Sequence, residues 1–347
     1  VLVPLVRRKE LGKPRLGLPK RGTAAFAVFV AMGPTVLGMS LNQISSLLDQ
    51  LLAYYLIAPG AVTYVYLANR LLLFPHALTA MSVAVAVFPK LATEADGEGR
   101  TKMRHTLDMA AAATILVTLP AAAGMILLAD DVVNVLFVGG KFGGDDIAPT
   151  ILTTACLVVG LPFLGLAQLY ARAFYAVGDT STPARTAAKL IVLNVIISVT
   201  LLLTTGMGTA ALTLSSSIAS FGNAVLLSRK FRRHAAPQNS ILGRAWIRSL
   251  IATGAMCAVL PFARVAPDDA SLLVRATGNL MLPIGVSILV YVLAHMAMRS
   301  PELRALQELT HSVPKDQLGA LIMSDKFRTA YEAAQAAAAA AMAAAAE

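Results

Sequence analysis

What most constrains this chain is how far it runs without charge. Between Gly22 and Pro89, a stretch of 68 residues, Asp49 and Arg70 are the only charged side chains. Uncharged runs recur at 109–129, 147–171, 190–228 and 276–298. About 20 apolar residues carry a helix across a bilayer core, so the shorter runs fit one crossing each. The run of 39 residues at 190–228 fits two, with a turn at Gly206-Met207-Gly208. Charged residues make up 14% of the 347 and apolar residues 57%. A soluble domain carries about 25% charged residues, so the composition argues against a soluble enzyme.

Gly and Pro punctuation divides the chain into eight expected spans, at 23–53, 62–89, 106–128, 148–177, 186–205, 208–228, 245–263 and 274–298. The basic residues test that count. With the N-terminus inside, 25 of the 29 Lys and Arg fall on inside segments, three (Lys141, Arg264, Arg275) on outside loops, and Arg70 within a span. This alternation follows the positive-inside rule. It also removes the nucleic-acid reading of the net charge of +10, because the cations are scattered over separate loops.

Four segments follow: a basic cytoplasmic stretch 1–21, six helices over 22–229, two further helices over 230–298, and a cytoplasmic tail 299–347 that ends in Ala-rich low complexity. The chain begins at Val1 with a short apolar stub, and we expect more sequence upstream. Cys156 and Cys257 both fall in apolar runs and are expected to be buried thiols, not a disulfide. Pro34, Pro75, Pro120, Pro162 and Pro283 lie within spans. Proline removes a backbone donor and kinks a helix. Bilayer helices tolerate this where neighbours or a water-filled cavity re-satisfy the freed carbonyls, so five prolines point to a deformable bundle with a cavity.

Few residues carry chemistry. Arg70 stands about 13 Å along its helix from the span's start. An intramembrane cation faces a cavity or a partner. A guanidinium suits a phosphate or carboxylate bidentately; the alternative is a structural ion pair with Asp49 or a carbonyl. Asn42, Ser45, Ser46 and Asp49 recur at three- and four-residue steps, a polar stripe on one helix face. Asp49 is read either as part of a cation site, for sodium or a proton, with Asn194, Ser198 and Ser215 from later spans, or as an interhelical hydrogen-bonding group. His76 is expected to be hydrogen-bonded, and Arg172 to snorkel from the end of its span. Asp130-Asp131 and Asp145-Asp146 are expected to flank a solvated or re-entrant outside loop. No Ser/His/Asp triad, Walker loop or metalloprotease motif is present.

Several blocks, taken together, resemble the MurJ/MviN family of lipid II flippases. They are Met32-Gly33-Pro34 through Asn42-Gln43-Ile44, Tyr66-Leu67-Ala68-Asn69-Arg70-Leu71, Val87-Phe88-Pro89, Leu136 to Phe142, and Arg172 to Ala176 followed by Asp179-Thr180-Ser181-Thr182-Pro183. The resemblance spans about residues 5–300. It implies an all-α integral membrane protein of about eight transmembrane helices, half of a multidrug/oligosaccharidyl-lipid/polysaccharide exporter fold: the second lobe and two extra helices, without the first lobe. It further implies lipid II as substrate, a diphosphate contact at Arg70, and a sodium site that includes Asp49 and Asn194, with a looser match at Ser198 and Ser215. The implied setting is the bacterial inner membrane, with both termini cytoplasmic, alongside cell-wall synthesis proteins. No covalent bond is broken, so no enzyme and no cofactor beyond Na+ are expected. Two other readings stay open: an exporter of another lipid-linked glycan, and a non-transporting scaffold for envelope-building proteins.

Overall fold

The computed structural model describes residues 43–58, 60–95, 100–140, 142–233, 241–267 and 272–300. The basic segment 1–21, the block at Met32 to Asn42 and nearly all of the tail 299–347 lie outside them. Among the described residues six helices are long and apolar enough to cross a membrane: Lys102–Leu127, Gly144–Ala176, Ser181–Thr205, Thr209–Phe231, Ile241–Ala263 and Ala276–Ala297. They coincide with six of the eight expected spans. The other two are represented by a helix over 43–56 (α1), whose expected start falls outside the described residues, and by a longer rod interrupted midway.

That rod runs from α2 (Ala61–His76) through a π turn (Ala77–Met81) into α3 (Ser82–Thr93). Pro75 lies inside α2 immediately before the wide turn. A proline that cannot donate, followed by a π bulge, is a recognised cause of a helix kink. The rod is broken where the sequence placed a proline.

The remaining helices are α4 (Arg100–Leu127), α5 (Ala129–Phe137), α6 (Ile147–Val158), α7 (Leu161–Ala176), α8 (Ser181–Thr205), α9 (Thr209–Phe231) and α10 (Ile241–Val259). A short α11 (Leu272–Arg275) passes through a π turn at Ala276–Met281 into α12 (Leu282–Ala297). The hairpin between α8 and α9 turns where expected: Gly206 and Gly208 adopt φ of 64° and 57°, a region that favours glycine.

Packing follows membrane logic. Lipid tails are as apolar as leucine, so helices associate through close packing of small residues. Ala110, Ala111, Ala112 and Ala113 of α4 are fully buried. The largest apolar cluster gathers Leu91, Met103, Leu107, Tyr170, Phe174, Leu227 and Phe231 from α3, α4, α7 and α9. The outward faces keep their large apolar residues, among them Val192, Ile196 and Leu203 of α8.

Two expectations change. The span at 148–177 is two helices, α6 and α7, bent at Val159-Gly160 ahead of Pro162. A Cβ on Gly160 would lie 2.9 Å from the Ser217 Cα, so the close approach of α9 fixes glycine there. The segment after Asp130 is no solvated loop at first but the helix α5. Its first-turn acids Asp130 and Asp131 suit the positive end of the helix dipole. Asp131 is buried and pairs with Arg264 at 3.2 Å. Cys156 and Cys257 are unpaired thiols, each half-buried.

Candidate functional site

A half-open cavity of about 540 Å³ lies among the helices, its wall shared by α1, α2, α6, α7, α8 and α9. The described part of the α1 stripe, Ser45, Ser46 and Asp49, faces it. Asn42 of that stripe lies outside the described residues. Arg70, Asn69 and His76 face it from α2, Gln168 from α7, and Asn194 from α8.

Asp49 is held from two later helices. Its Oδ1 accepts from Asn194 Nδ2 at 3.3 Å, and its Oδ2 accepts from Ser216 Oγ at 2.9 Å. Asn194 Oδ1 is buried and has no hydrogen-bond partner. Asn194 Nδ2 also donates to Ser216 Oγ at 3.4 Å, so the amide faces Asp49 and Ser216 with its nitrogen. The oxygens that meet here are the Asp49 carboxylate and the Ser216 hydroxyl, hard donors of the kind a small cation prefers.

Ser198 and Ser215 do not join them. Those two are fully buried and hydrogen-bonded to each other between α8 and α9, and neither lines the cavity. Three consecutive serines on α9 point three ways. Ser215 meets Ser198 of α8, Ser216 reaches Asp49 of α1, and Ser217 donates to the carbonyls of Cys156 and Leu157 on α6 at 2.6 and 3.0 Å. Adjacent helical residues are about 100° apart, and the packing of α9 against α6 and α8 puts Ser216 and Ser217, but not Ser215, on the chamber wall.

Arg70 is exposed to the cavity. Its Nε donates to the Tyr66 hydroxyl at 3.0 Å, and its guanidinium carbon stands 5.3 Å from the Tyr66 ring centroid. Among the described residues no ion pair joins Arg70 to Asp49 or to another carboxylate. A tyrosine one turn earlier orients the fork without neutralising it. His76 is buried, with Nε2 3.0 Å from Gln168 Nε2, the hydrogen-bonded role expected. Arg172 is half-buried near the end of α7.

The partners Tyr66, Gln168 and Ser216 were missed in the sequence. Tyr66 had a readable signal in its four-residue spacing from Arg70. Gln168 and Ser216 had none, because their roles depend on helices that meet only in the fold.

Apolar helices packed around a polar cleft, with the Arg70 guanidinium and the hydrogen-bonded Asp49 carboxylate on its wall, define a multi-pass helical membrane protein. The family description "Lipid II flippase MurJ" matches residues 1–267. The chain belongs to the MurJ lipid II flippase family. It is 29% identical over 275 residues to a protein of Bdellovibrio bacteriovorus named "Probable lipid II flippase MurJ", covering 78% of this chain and 51% of that protein. A Helicobacter pylori protein of the same name is 31% identical over 217 residues, covering 62% of this chain and 46% of that one. The chain therefore spans about half the length of the curated relatives it matches. A solved structure, "Lipid II flippase MurJ, inward closed conformation", shares the fold with a TM-score of 0.64 at 23% identity, covering 81% of this chain and 57% of that one.

Proposed function

We propose that this chain supplies the second lobe, 22–229, and the two following helices, 230–298, of a transporter that flips lipid II across the bacterial inner membrane, with both termini cytoplasmic. The headgroup crosses by alternating access between two lobes, and no covalent bond is made or broken. The observation that carries this reading is Arg70: a guanidinium on the wall of the chamber, oriented by Tyr66 and, among the described residues, without an ion pair to a carboxylate. A diphosphate leaving water for such a chamber needs fixed positive charge to offset its desolvation. Family membership supports the substrate class. The distribution of basic residues, 25 on one side and three on the other, supports the orientation.

Sodium fits the second half of the chamber. Asp49 and Ser216 Oγ would hold it, with the Asn194 amide turned to present its oxygen, and its gradient or the membrane potential would drive the cycle. Cell-wall synthesis proteins are the natural neighbours of such a transporter.

The test is complementation of flippase-depleted cells by the full-length protein. Arg70→Ala is expected to abolish rescue while the protein still accumulates in the membrane. Arg70→Lys keeps the charge but loses the planar fork, and its rescue is expected to be partial or absent. Full rescue by Arg70→Ala would remove this residue from the substrate path.

A further inference from the structure

A second pocket, of about 400 Å³, opens at the end of the bundle where α8 begins and α9 finishes. Four cations line it: Arg185 and Lys189 on α8, Lys230 on the last turn of α9, and Arg233 just beyond. Arg185 and Lys189 are one helical turn apart, a spacing at which like charges repel. The antiparallel hairpin adds the second pair, and Lys230 Nζ donates to Thr186 Oγ1 at 2.7 Å, tying α9 to α8 at the pocket's edge.

Among the described residues Asp179 is the one carboxylate lining the pocket, and one of its oxygens is engaged at the start of α8. Its Oδ1 accepts from the backbone N–H groups of Ser181 and Thr182 at 3.1 and 2.9 Å and from Ser181 Oγ at 3.0 Å. Among the described residues no carboxylate pairs with Arg185, Lys189, Lys230 or Arg233.

The pocket's position names the ligand's source. Thr182, Arg185 and Lys189 all belong to the apolar helix Ser181–Thr205, and Lys189 stands about 12 Å along it. The cations thus flank the uncharged run 190–228 at one end of the hairpin. This is the level at which a spanning hairpin meets the headgroups, where anionic lipid phosphates are concentrated and bulk phosphate is not. Basic pockets between transmembrane helices bind such headgroups. We propose that this pocket binds the phosphate of an anionic membrane phospholipid, at a site separate from the chamber that holds Arg70.

The test uses the full chain in phosphatidylcholine micelles, titrated separately with short-chain phosphatidylglycerol, further phosphatidylcholine and inorganic phosphate, with the unfolding temperature as readout. Phosphatidylglycerol is expected to raise it saturably, and the other two are not. Arg185→Gln with Lys189→Gln should weaken the apparent affinity for phosphatidylglycerol about 25-fold, roughly fivefold per charge. Arg232→Gln, an exposed cation outside the pocket, should leave the response unchanged. If the double variant fails to accumulate, Arg233→Gln alone should weaken it about fivefold. A wild-type response in either pocket variant would overturn the site. An equal response to inorganic phosphate would overturn the lipid as its source.

Discussion

Arg70 and Arg104 are both arginines on long apolar helices, and their surroundings differ in every respect that matters. Arg104 is buried, and Asp108 one turn later grips it as a fork, Nε to Oδ2 at 3.1 Å and Nη2 to Oδ1 at 3.0 Å. Arg70 is exposed to a chamber; its partner is a tyrosine one turn earlier, and the position one turn later, where Arg104 has its acid, is Phe74. A buried cation with a carboxylate one turn away has its charge matched within its own helix. The same group with a hydroxyl and a ring beside it is aimed but not discharged. Charge within a span is therefore a poor sign of function until its partner at the next turn is known.

Stability should separate the two arginines most widely. Removing one member of a buried pair leaves an uncompensated charge, so Arg104→Ala is expected to destabilise by about 3–5 kcal/mol. Arg70→Ala should shift stability by no more than about 0.5 kcal/mol, the usual range for a substitution away from buried features. Denaturation of both variants in the same detergent checks this. Recovery of most of the loss by Arg104→Ala with Asp108→Ala would confirm that the pair acts within the fold. An equal loss in both single variants would erase the distinction.

A smaller effect tests the other wall of the chamber. If sodium binds at Asp49, tenfold excess over its dissociation constant stabilises the folded state by about 1.4 kcal/mol. Asp49→Asn should abolish that increment, read as a sodium-dependent unfolding temperature. Potassium at equal ionic strength serves as control, and an unchanged sodium response in the variant would leave Asp49 a hydrogen-bonding group only.

The smallest effect lies outside the membrane-spanning segments. Burial works to raise the Asp179 carboxyl, but hydrogen bonds from Thr182 and Ser181 outweigh it and hold the group below its ordinary range. Asp179→Ala removes acceptors at the start of α8 and should cost about 1 kcal/mol at neutral pH. Because the folded-state pKa is depressed, this contribution is complete above the unfolded value of about 3.9 and fades as pH falls through the folded value. The gap between wild type and variant should thus close below about pH 4. A gap that persists there would locate the loss in packing.

The helical, membrane-embedded architecture was legible because crossing a bilayer demands long uncharged runs, and such runs are visible one residue at a time. The glycine turn between α8 and α9 was legible for a similar local reason. Arg70, Asp49 and Asn194 could be singled out because polar groups are costly in spans, and all three do line the cavity. The choice among Ser215, Ser216 and Ser217 could not be made, since it depends on how α9 is rotated against its neighbours. Arg104 read as one more cation at a span's end because its spacing to Asp108 matters only once both are buried. The helix α5 was hidden because Asp130 and Asp131 looked like solvated loop residues, whereas the partner of Asp131 comes from the far side of α10.

The three serines of α9 limit how information can leave the chamber. Turning α9 by one residue about its own axis would pull Ser217 off the α6 carbonyls, part Ser215 from Ser198 and swing Ser216 away from Asp49, all together. Axial rotation is therefore a locked degree of freedom, and Gly160 leaves no slack against which α9 could slip. A movement of α9 that kept all of these contacts would be a tilt that carries α6 and α8 with it, and the close approach at Gly160 is where the two helices would stay in register.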